Sequence, residues 1–292
     1  MNFQIRRLGG GSEDMKLSHY DNPARFLERA SQFLEAREAE NNLILGISSW
    51  LAAHRERIEH SPYFAIVEED RRITAAAMMT PPYRLVLTRS DTAALEEIME
   101  DLSKRRIFLP GVNGPREASL AFAEQWAKRK RCKYQLRRSL RIYQLSQVIF
   151  PRPVDGKIRL AIPKDRDVLV RWAQNFGKEI GEAQTKHEAT EMVERLMKDE
   201  RLYVWDDEGL RSIAAWSGPT RHGVRVSLVF TPLEFRGKGY ASACVAALSQ
   251  EMLSSGRRFC CLFADLSNQV SNYVYQLIGY VPVCDFEEYQ FS

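Results

Sequence analysis

A short loop with two glycines joins an apolar segment to an Ala-rich one at residues 229–242, VFTPLEFRGKGYAS. The apolar start predicts a strand, Gly237 and Gly239 predict a tight loop, and the Ala-rich end predicts a helix. The first turn of a helix has unpaired N–H donors and a partial positive charge, so this order of elements presents bare backbone to an anion. We therefore expect a phosphate-binding cradle here.

Two familiar phosphate-binding loops do not fit this spacing. A P-loop needs GxxxxGK followed by Ser or Thr, and RGKGYAS lacks the first glycine and the hydroxyl after the lysine. A dinucleotide fingerprint needs GxGxxG at the first turn of a βαβ unit, but here Ala241 and Ser242 follow the glycines. The predicted strands before the loop are also consecutive and antiparallel. The rest of the chain must therefore indicate the ligand.

The length of 292 residues predicts two domains, since single domains usually have roughly 100–200 residues. The segment FPRPVDG at 150–156 places two prolines and a glycine between two predicted strands. We predict a flexible leader at 1–14, an N-terminal domain at 15–150 and a C-terminal domain at 157–292.

The two predicted domains have a similar order of predicted strands and helices. From residue 157 the pattern predicts β, α, α, β, β, β, glycine loop, α, β, α, β, with Asp165 as a helix cap. From residue 63, three strands, a helix, a short strand, a helix and a closing strand repeat it, but TRSDTAAL replaces the glycine loop. The expected fold class is α/β, with a mixed, mostly antiparallel sheet, helices on both faces and two related halves.

Composition excludes several other classes of protein. With 45% hydrophobic and 27% charged residues the chain is typical of a globular protein. No apolar run approaches the ~20 residues of a membrane span, and MNFQIRRLGGGSED does not resemble a signal peptide. We expect a cytoplasmic protein. Five cysteines without CxxC or a histidine cluster predict buried thiols, with no disulfide framework and no metal site.

The net charge is +4, and eight basic residues lie within 128–141, KRKRCKYQLRRSLR. A basic patch of this kind is compatible with nucleic acid or an acidic partner. Its alternating apolar and polar residues favour a strand with one face in water, in which most arginines need no partner but water. Nucleic-acid binding is therefore not the favoured interpretation.

Two linked motifs resemble one family. The segment from Arg236 to Ala241 resembles the Arg/Gln-x-x-Gly-x-Gly/Ala signature of the GNAT superfamily of acyl-CoA-dependent N-acetyltransferases. NQVSNYVYQLIGYVPV resembles that family's closing motif in its residues Asn268, Tyr275, Gly279 and Tyr280. Over its whole length the chain is similar to a bacterial group of two-part, tandem acetyltransferases. The resemblance implies the GNAT fold, with a degenerate N-terminal half.

What the resemblance implies is direct transfer of an acetyl group from acetyl-CoA to an amine. It assigns coenzyme binding to backbone and side-chain groups of ten residues: Val229, Phe230, Thr231, Arg236, Gly237, Lys238, Gly239, Tyr240, Ala241 and Asn268. The physical reasons are the N–H groups of the first helical turn and glycines that let the backbone approach a pyrophosphate. Asn268 is equally explained as a helix cap.

By the same resemblance, Tyr275 is the general acid that protonates the departing thiolate. A core position is the alternative, because Tyr275 lies next to an apolar stripe of Val270, Val274, Leu277 and Ile278. Glu179 is a candidate general base, and Glu182, Glu234, Asp265 or a water relay are alternatives to it.

Other side chains carry weaker signals. Trp172, Phe176 and Trp216 are candidates for an acceptor pocket, although aromatics at this spacing are more often core residues. His187 and His222 are isolated in the sequence, and an isolated histidine is seldom a catalyst.

Two further function classes stay open at this point. The chain could bind or sense an acyl-CoA without turnover, or dock RNA or an acidic protein through its basic stretch. The acceptor amine, the acyl chain length, the general base and the oligomeric state, including a homodimer, are not indicated by the sequence.

Overall fold

A computed structural model describes residues 15–58 and 60–292. The predicted leader at 1–14 lies outside the described residues. Within them, twelve strands form one sheet, and eight α-helices cover its two faces. None of these helices combines the length and the apolar character that a membrane span requires.

The first part of the chain reproduces the predicted order from residue 63 onward and adds a strand and two helices before it. Its elements are β1 (Lys16–Tyr20), α1 (Pro23–Glu35), α2 (Asn42–Ala53), β2 (Tyr63–Glu69), β3 (Arg72–Met79), β4 (Leu85–Leu87), α3 (Thr92–Lys104), β5 (Gly111–Pro115), α4 (Arg116–Lys130) and β6 (Tyr134–Leu145).

The second part also follows the predicted order, which is confirmed element by element. Its elements are β7 (Lys157–Leu160), α5 (Arg166–Glu179), α6 (Lys186–Lys198), β8 (Leu202–Asp206), β9 (Leu210–Ser217), β10 (Gly223–Phe230), α7 (Tyr240–Ser254), β11 (Phe259–Asp265), α8 (Gln269–Leu277) and β12 (Val281–Phe291).

The last strand of each part lies inside the other part's sheet. The strand order is β1-β2-β3-β4-β5-β12-β6-β11-β10-β9-β8-β7. The C-terminal strand β12 pairs with β5 and β6, while β6 pairs with β12 and β11. The sheet is therefore continuous, and the two parts share its centre. The division at 150–157 stays a prediction about independent units.

Helices from both parts share each face of the sheet. One face, which we call the first face, carries α1 and α2 over the β2, β3 and β6 side chains and α5 and α6 over those of β8 and β9. The second face carries α3 and α4 in the first part, and α7 and α8 in the second. Alternate residues of one strand enter opposite cores, as Leu140 and Tyr143 do in β6.

Three local predictions are wrong or only partly correct. β6 is a central strand with both faces covered from Leu140 onward, and two of its arginines are paired, Arg138 with Glu288 and Arg141 with Asp285. The reason is that β12 inserts beside it, which its own residues do not indicate.

The other two predictions concern helix ends and faces. The Asp165 side chain does not cap α5; it accepts hydrogen bonds from Arg159 and the Ile162 N–H. The apolar stripe predicted on α8 is correct only in part: Val274 and Ile278 pack in the core, but Val270 is 74% exposed and Leu277 48% exposed. Asn272 and Tyr275 are the buried residues of that helix.

Candidate functional site

The glycine loop leads directly into α7 and leaves its first N–H groups unpaired. Gly237 has φ +75° and Gly239 has φ +87°, both in the left-handed region that favours glycine. Gly239 is the N-cap of α7 and offers no side chain to cap it. Across the described residues, the backbone N–H groups of 237–242 donate to no backbone or side-chain acceptor. We call this row of six donors the cradle.

At the corresponding position in the first part of the chain, a carboxylate caps the start of the helix. Asp91 is the N-cap of α3, and its carboxylate accepts a hydrogen bond of 2.8 Å from the Ala94 N–H. A carboxylate there both satisfies a donor and repels an anion. The prediction that only the second part has a cradle agrees with this difference.

Strands β10 and β11 separate beside the cradle. They pair in parallel only where Gly223, Val224 and Arg225 meet residues 259–261. Beyond Arg225 the described residues of the two strands are not paired, and a bulge at Leu228, with φ +49°, turns β10 further. The opening leaves backbone groups of β10, including those of Val229 and Phe230, without partners from β11.

Arg236 braces the loop that leads to the cradle. Its Nε donates to the Thr231 carbonyl at 2.8 Å, and its guanidinium donates to both carboxylate oxygens of Glu179 at 2.6 and 2.9 Å. The Thr231 hydroxyl in turn lies 2.8 Å from the Ser212 hydroxyl. The end of β10 and the end of α5 are therefore joined through one guanidinium.

The remaining cradle side chains point away from the backbone donors. The Tyr240 hydroxyl donates to Asp207 at 2.7 Å, which raises the pKa of Tyr240. The Lys238 ammonium lies 5.9 Å from the ring centroid of Phe235. Ala241 is half-buried on the first turn of α7. The donors of the cradle are therefore supplied by the backbone.

Tyr275 lies in the core of the second face, on the turn of α8 that faces β6. Its side chain is 9% exposed, and its ring stands between Tyr143 and Tyr280, with centroids 6.5 and 6.0 Å away. Its hydroxyl makes no hydrogen bond to the part of the chain that the structure describes. Burial raises the pKa of Tyr275 to about 12, so the hydroxyl keeps its proton at neutral pH.

Asn272 is a buried residue that the sequence analysis missed. Its amide donates to the backbone carbonyls of Asp265 and Asn268, and its oxygen accepts a 2.8 Å hydrogen bond from the Tyr143 hydroxyl. Asn268 caps α8, since its side chain accepts from the Ser271 N–H at 3.0 Å.

Comparison with known proteins identifies the architecture. The sequence model of the FR47-like protein family matches residues 206–289, the range that contains both motifs. No curated protein sequence matches the chain significantly.

Solved structures align over nearly the whole chain at low identity. A GCN5-related N-acetyltransferase from Sphaerobacter thermophilus is 16% identical, covers 94% of this chain and 95% of its own, and has a TM-score of 0.62. An acetyltransferase of the GNAT family from Colwellia psychrerythraea is 12% identical, with coverages of 94% and 98% and a TM-score of 0.58. A tandem GNAT protein from the clavulanic acid biosynthesis pathway is 10% identical, with coverages of 96% and 98% and a TM-score of 0.58. This chain has the GNAT fold.

Within this GNAT fold, most candidate bases already have partners. Glu179 binds Arg236, Glu182 binds Arg138, and the Asp265 carboxylate accepts from Ser267. Among the described residues Glu234 is exposed and has no bonded partner. Glu179 and Glu234 therefore both lie at the loop before the cradle, and their geometry favours neither of them as the base.

The predicted aromatic pocket residues do not form one group. Trp172 and Phe176 pack with Phe230 in the core of the first face, while Trp216 faces α7 on the other side of the sheet. The Trp216 Nε1 is buried without an acceptor among the described residues, and the Arg201 guanidinium lies over its ring.

The two histidines that are isolated in the sequence each lie beside a carboxylate in the fold. His187 lies 3.6 Å from Glu191, and His222 Nδ1 lies 2.7 Å from a Glu38 carboxylate oxygen. The partner of His222 comes from the loop between α1 and α2, more than 180 residues away. In the described part of the chain no group of three or more His, Cys, Asp or Glu side chains is arranged to hold a metal ion.

Proposed function

We propose that this protein is an N-acetyltransferase that binds acetyl-CoA at the cradle and transfers the acetyl group to an amine. The observation that carries the proposal is the row of six unpaired N–H groups at the N-terminus of α7, beside the opening between β10 and β11. Such a terminus favours a phosphate group by its donors and by its dipole. The GNAT fold and its acetyltransferase neighbours support the same conclusion.

The residues of the cradle fit a pyrophosphate. Gly237 and Gly239 have no side chains between the donors and a ligand, and both have the positive φ values that are typical of anion-binding loops. The proposed coenzyme site comprises the residues named from the sequence: Val229, Phe230, Thr231, Arg236, Gly237, Lys238, Gly239, Tyr240, Ala241 and Asn268. Of these, we assign Arg236 chiefly to bracing the loop.

Bound acetyl-CoA would supply an activated thioester. Transfer forms a nitrogen–carbon bond and breaks the carbon–sulfur bond, so the amine loses a proton and the thiolate gains one. We propose that the Tyr275 hydroxyl supplies the proton to sulfur, because burial keeps it protonated and it has no competing acceptor among the described residues. Glu179 remains our candidate for the general base that accepts the proton of the amine through a water molecule, and Glu234 is the alternative.

One observation favours a second candidate function, acyl-CoA binding without turnover. Three of the four carboxylates named as bases, Glu179, Glu182 and Asp265, are held by hydrogen bonds or ion pairs. A carboxylate held in this way must give up a hydrogen bond before it can accept a proton from the amine.

The cradle can be tested without straining the loop. Ser242 is the third helical residue of α7, where a glutamate can reach back to the N–H of the N-cap residue Gly239. Ser242→Glu should therefore keep or raise stability, yet fill the cradle with a negative charge. We expect calorimetric titration to show a Kd for acetyl-CoA roughly tenfold higher or more, a loss of at least about 1.4 kcal/mol.

Ser242→Ala is the matched control, since it adds no charge and should bind as the wild type does. Equal binding by all three proteins would place the pyrophosphate elsewhere and overturn the proposed site. If the wild type binds but releases no thiol with any amine, the binding function is supported and the enzyme function is not.

A further inference from the structure

Arg84 has an unsatisfied guanidinium at the centre of the shared sheet. It immediately precedes β4, and its side chain passes over Gly111 of β5, where a Cβ would lie 3.0 Å from its Cδ and 3.1 Å from its Nε. The Nε is buried and has no acceptor. Neither a hydrogen bond nor an ion pair joins this guanidinium to any residue that the structure describes.

An unsatisfied acceptor lies on the same side of the sheet. The Asn113 Oδ1 is buried and has no donor in the described part of the chain. Asn113 follows Gly111 by two positions on β5, so its side chain projects to the side that the Arg84 side chain crosses. Asn113 also lies opposite Glu288 of β12, which lies opposite Arg138 of β6. Directly opposed residues project to one side, so these groups form one polar row.

Positive charge is in excess in this row. Burial lowers the pKa of Arg84, and the nearby charges of Arg137 and Arg138 lower it further. The two carboxylates nearby, Glu182 and Glu288, are both bound by Arg138. The guanidinium groups of Arg84, Arg137 and Arg138 therefore lie near two carboxylates, and both of these carboxylates form their ion pairs with Arg138.

Three other arginines that are withdrawn from water have acceptors, and one of them, the half-buried Arg225, donates to the neutral side chains of Asn42 and Ser217. Arg141 binds Asp285, and Arg159 binds both Asp165 and Asp206. Arg84 is half-buried and its Nε–H is fully buried, and a buried donor without an acceptor is costly, so proteins seldom retain one unless something else binds it. The unpaired state of Arg84 therefore points to an anionic ligand.

The loop between α5 and α6 places this row near the cradle. At its start Glu179 binds Arg236 of the cradle loop. Two residues later the Gly181 carbonyl accepts from Arg137, and then Glu182 binds Arg138. Three residues of chain span at most about 11 Å, so one short loop contacts both the arginines and the loop that presents the cradle.

We propose that Arg84 and Asn113 form an acceptor subsite that binds a carboxylate with an adjacent N–H, as at the C-terminal end of a short peptide. Arg84 and the neighbouring Arg137 supply the positive charge for the carboxylate, and the Asn113 Oδ1 accepts from the N–H. This inference rests on the proposed function, because it names the class of amine that the transferase uses.

The first experiment reads ligand binding without turnover. Coenzyme A is added at saturation to fill the cradle, and N-acetylglycine is titrated at constant ionic strength while thermal unfolding is followed. We expect the Tm of the wild type to rise by about 2 °C or more, and that of Arg84→Gln not to rise. Arg25→Gln, at an exposed arginine of α1, is the control and should respond as the wild type does.

N-acetylglycinamide and inorganic phosphate are the comparison ligands. The amide lacks the negative charge and should have no effect. A rise with phosphate alone would overturn the carboxylate assignment, and an equal rise for wild type and Arg84→Gln would overturn the site. Without added ligand, Arg84→Gln should be at least as stable as the wild type, since it removes a half-buried guanidinium whose Nε–H has no acceptor among the described residues. A clear fall in its Tm would indicate a structural role instead.

The second experiment uses thiol release from acetyl-CoA with di-, tri- and tetraglycine and their C-terminal amides. We expect the wild type to prefer the free acids over the amides by at least tenfold in kcat/KM, with the difference in KM and not in kcat. Arg84→Gln should lose this preference, and Arg25→Gln should keep it. Equal rates for acids and amides in the wild type would overturn the acceptor role. If coenzyme A does not bind, the proposed function is contradicted. The acceptor subsite is still tested in that case, because the Tm response to N-acetylglycine is compared between the wild type and Arg84→Gln.

Discussion

Arg236 donates to both carboxylate oxygens of Glu179, at 2.6 and 2.9 Å, and so ties the last turn of α5 to the loop before the cradle. The sequence had assigned these two residues to separate tasks, one to coenzyme binding and the other to base catalysis. Their ion pair indicates a common task, which is to hold the cradle loop against the first-face helices.

Glu179→Gln should therefore weaken coenzyme binding more than it slows chemistry. Both side chains are nearly half exposed, at 42% and 47%, so the pair contributes no more than about 1 kcal/mol. We expect the Kd for coenzyme A to rise roughly two- to fivefold by titration, with kcat nearly unchanged. Glu194→Gln, which breaks the exposed pair with Arg166, should have no effect on either. A large fall in kcat with an unchanged Kd would instead support Glu179 as the base.

Tyr275→Phe should separate catalysis from binding. The variant keeps the buried ring between Tyr143 and Tyr280 and removes a hydroxyl that has no partner among the described residues. We expect Tm to change little, coenzyme A affinity to be unchanged and kcat to fall by roughly a hundredfold or more, as for the loss of a general acid. With a pKa of about 12, ionisation of Tyr275 should not limit the rate below about pH 11. A variant with wild-type kcat would show that Tyr275 is only a core residue.

The two cradle glycines should differ in their tolerance of a methyl group. A Cβ at Gly237 meets nothing within 4 Å, whereas one at Gly239 would lie 2.9 Å from the Val154 Cγ1. Both alanine variants carry the left-handed cost of about 1–2 kcal/mol, and Gly239→Ala adds a steric term. Urea unfolding should rank Gly239→Ala below Gly237→Ala, and Val154→Ala should lessen that difference. Equal stabilities would mean that the Val154 side chain simply moves aside.

Stability should fall in mild alkali. Burial raises the pKa of four thiols, those of Cys244, Cys260, Cys261 and Cys284, from 9 to about 12. The unfolded chain loses these protons above pH 9 while the folded one keeps them. Their contribution is therefore complete below pH 9 and declines toward pH 12, by about 1.4 kcal/mol per pH unit for each thiol. Unfolding free energies between pH 8 and 10 should show this slope, and Cys244→Ala should reduce it by about a quarter. A flat profile would contradict the assigned shifts.

Local patterns were sufficient for the predicted elements and the cradle. The loop around Gly237 and Gly239, the cap at Asn268 and the strand order from residue 157 all depend on neighbours within a few positions, which a sequence displays directly. The exchange of β6 and β12 depends on contacts about 150 residues apart, such as Arg138 with Glu288. For the same reason the burial of Asn272 on α8 was not predicted. Its hydrogen-bond partner is Tyr143 of the other part, which no periodicity in α8 indicates.

The hydrogen bond from the Tyr143 hydroxyl to the Asn272 oxygen should hold the exchanged strands together. Tyr143 is fully buried on β6 of the first part, and Asn272 lies on α8 of the second, so their 2.8 Å bond crosses between the parts. Tyr143→Phe leaves a buried amide oxygen without its donor, which costs about 1–3 kcal/mol. We expect urea unfolding to show this loss, whereas Tyr134→Phe, at a more exposed hydroxyl of the same strand, should stay within about 0.5 kcal/mol. If both variants unfold as the wild type does, the packing of β6 between β11 and β12 is sufficient to join the two parts without this bond.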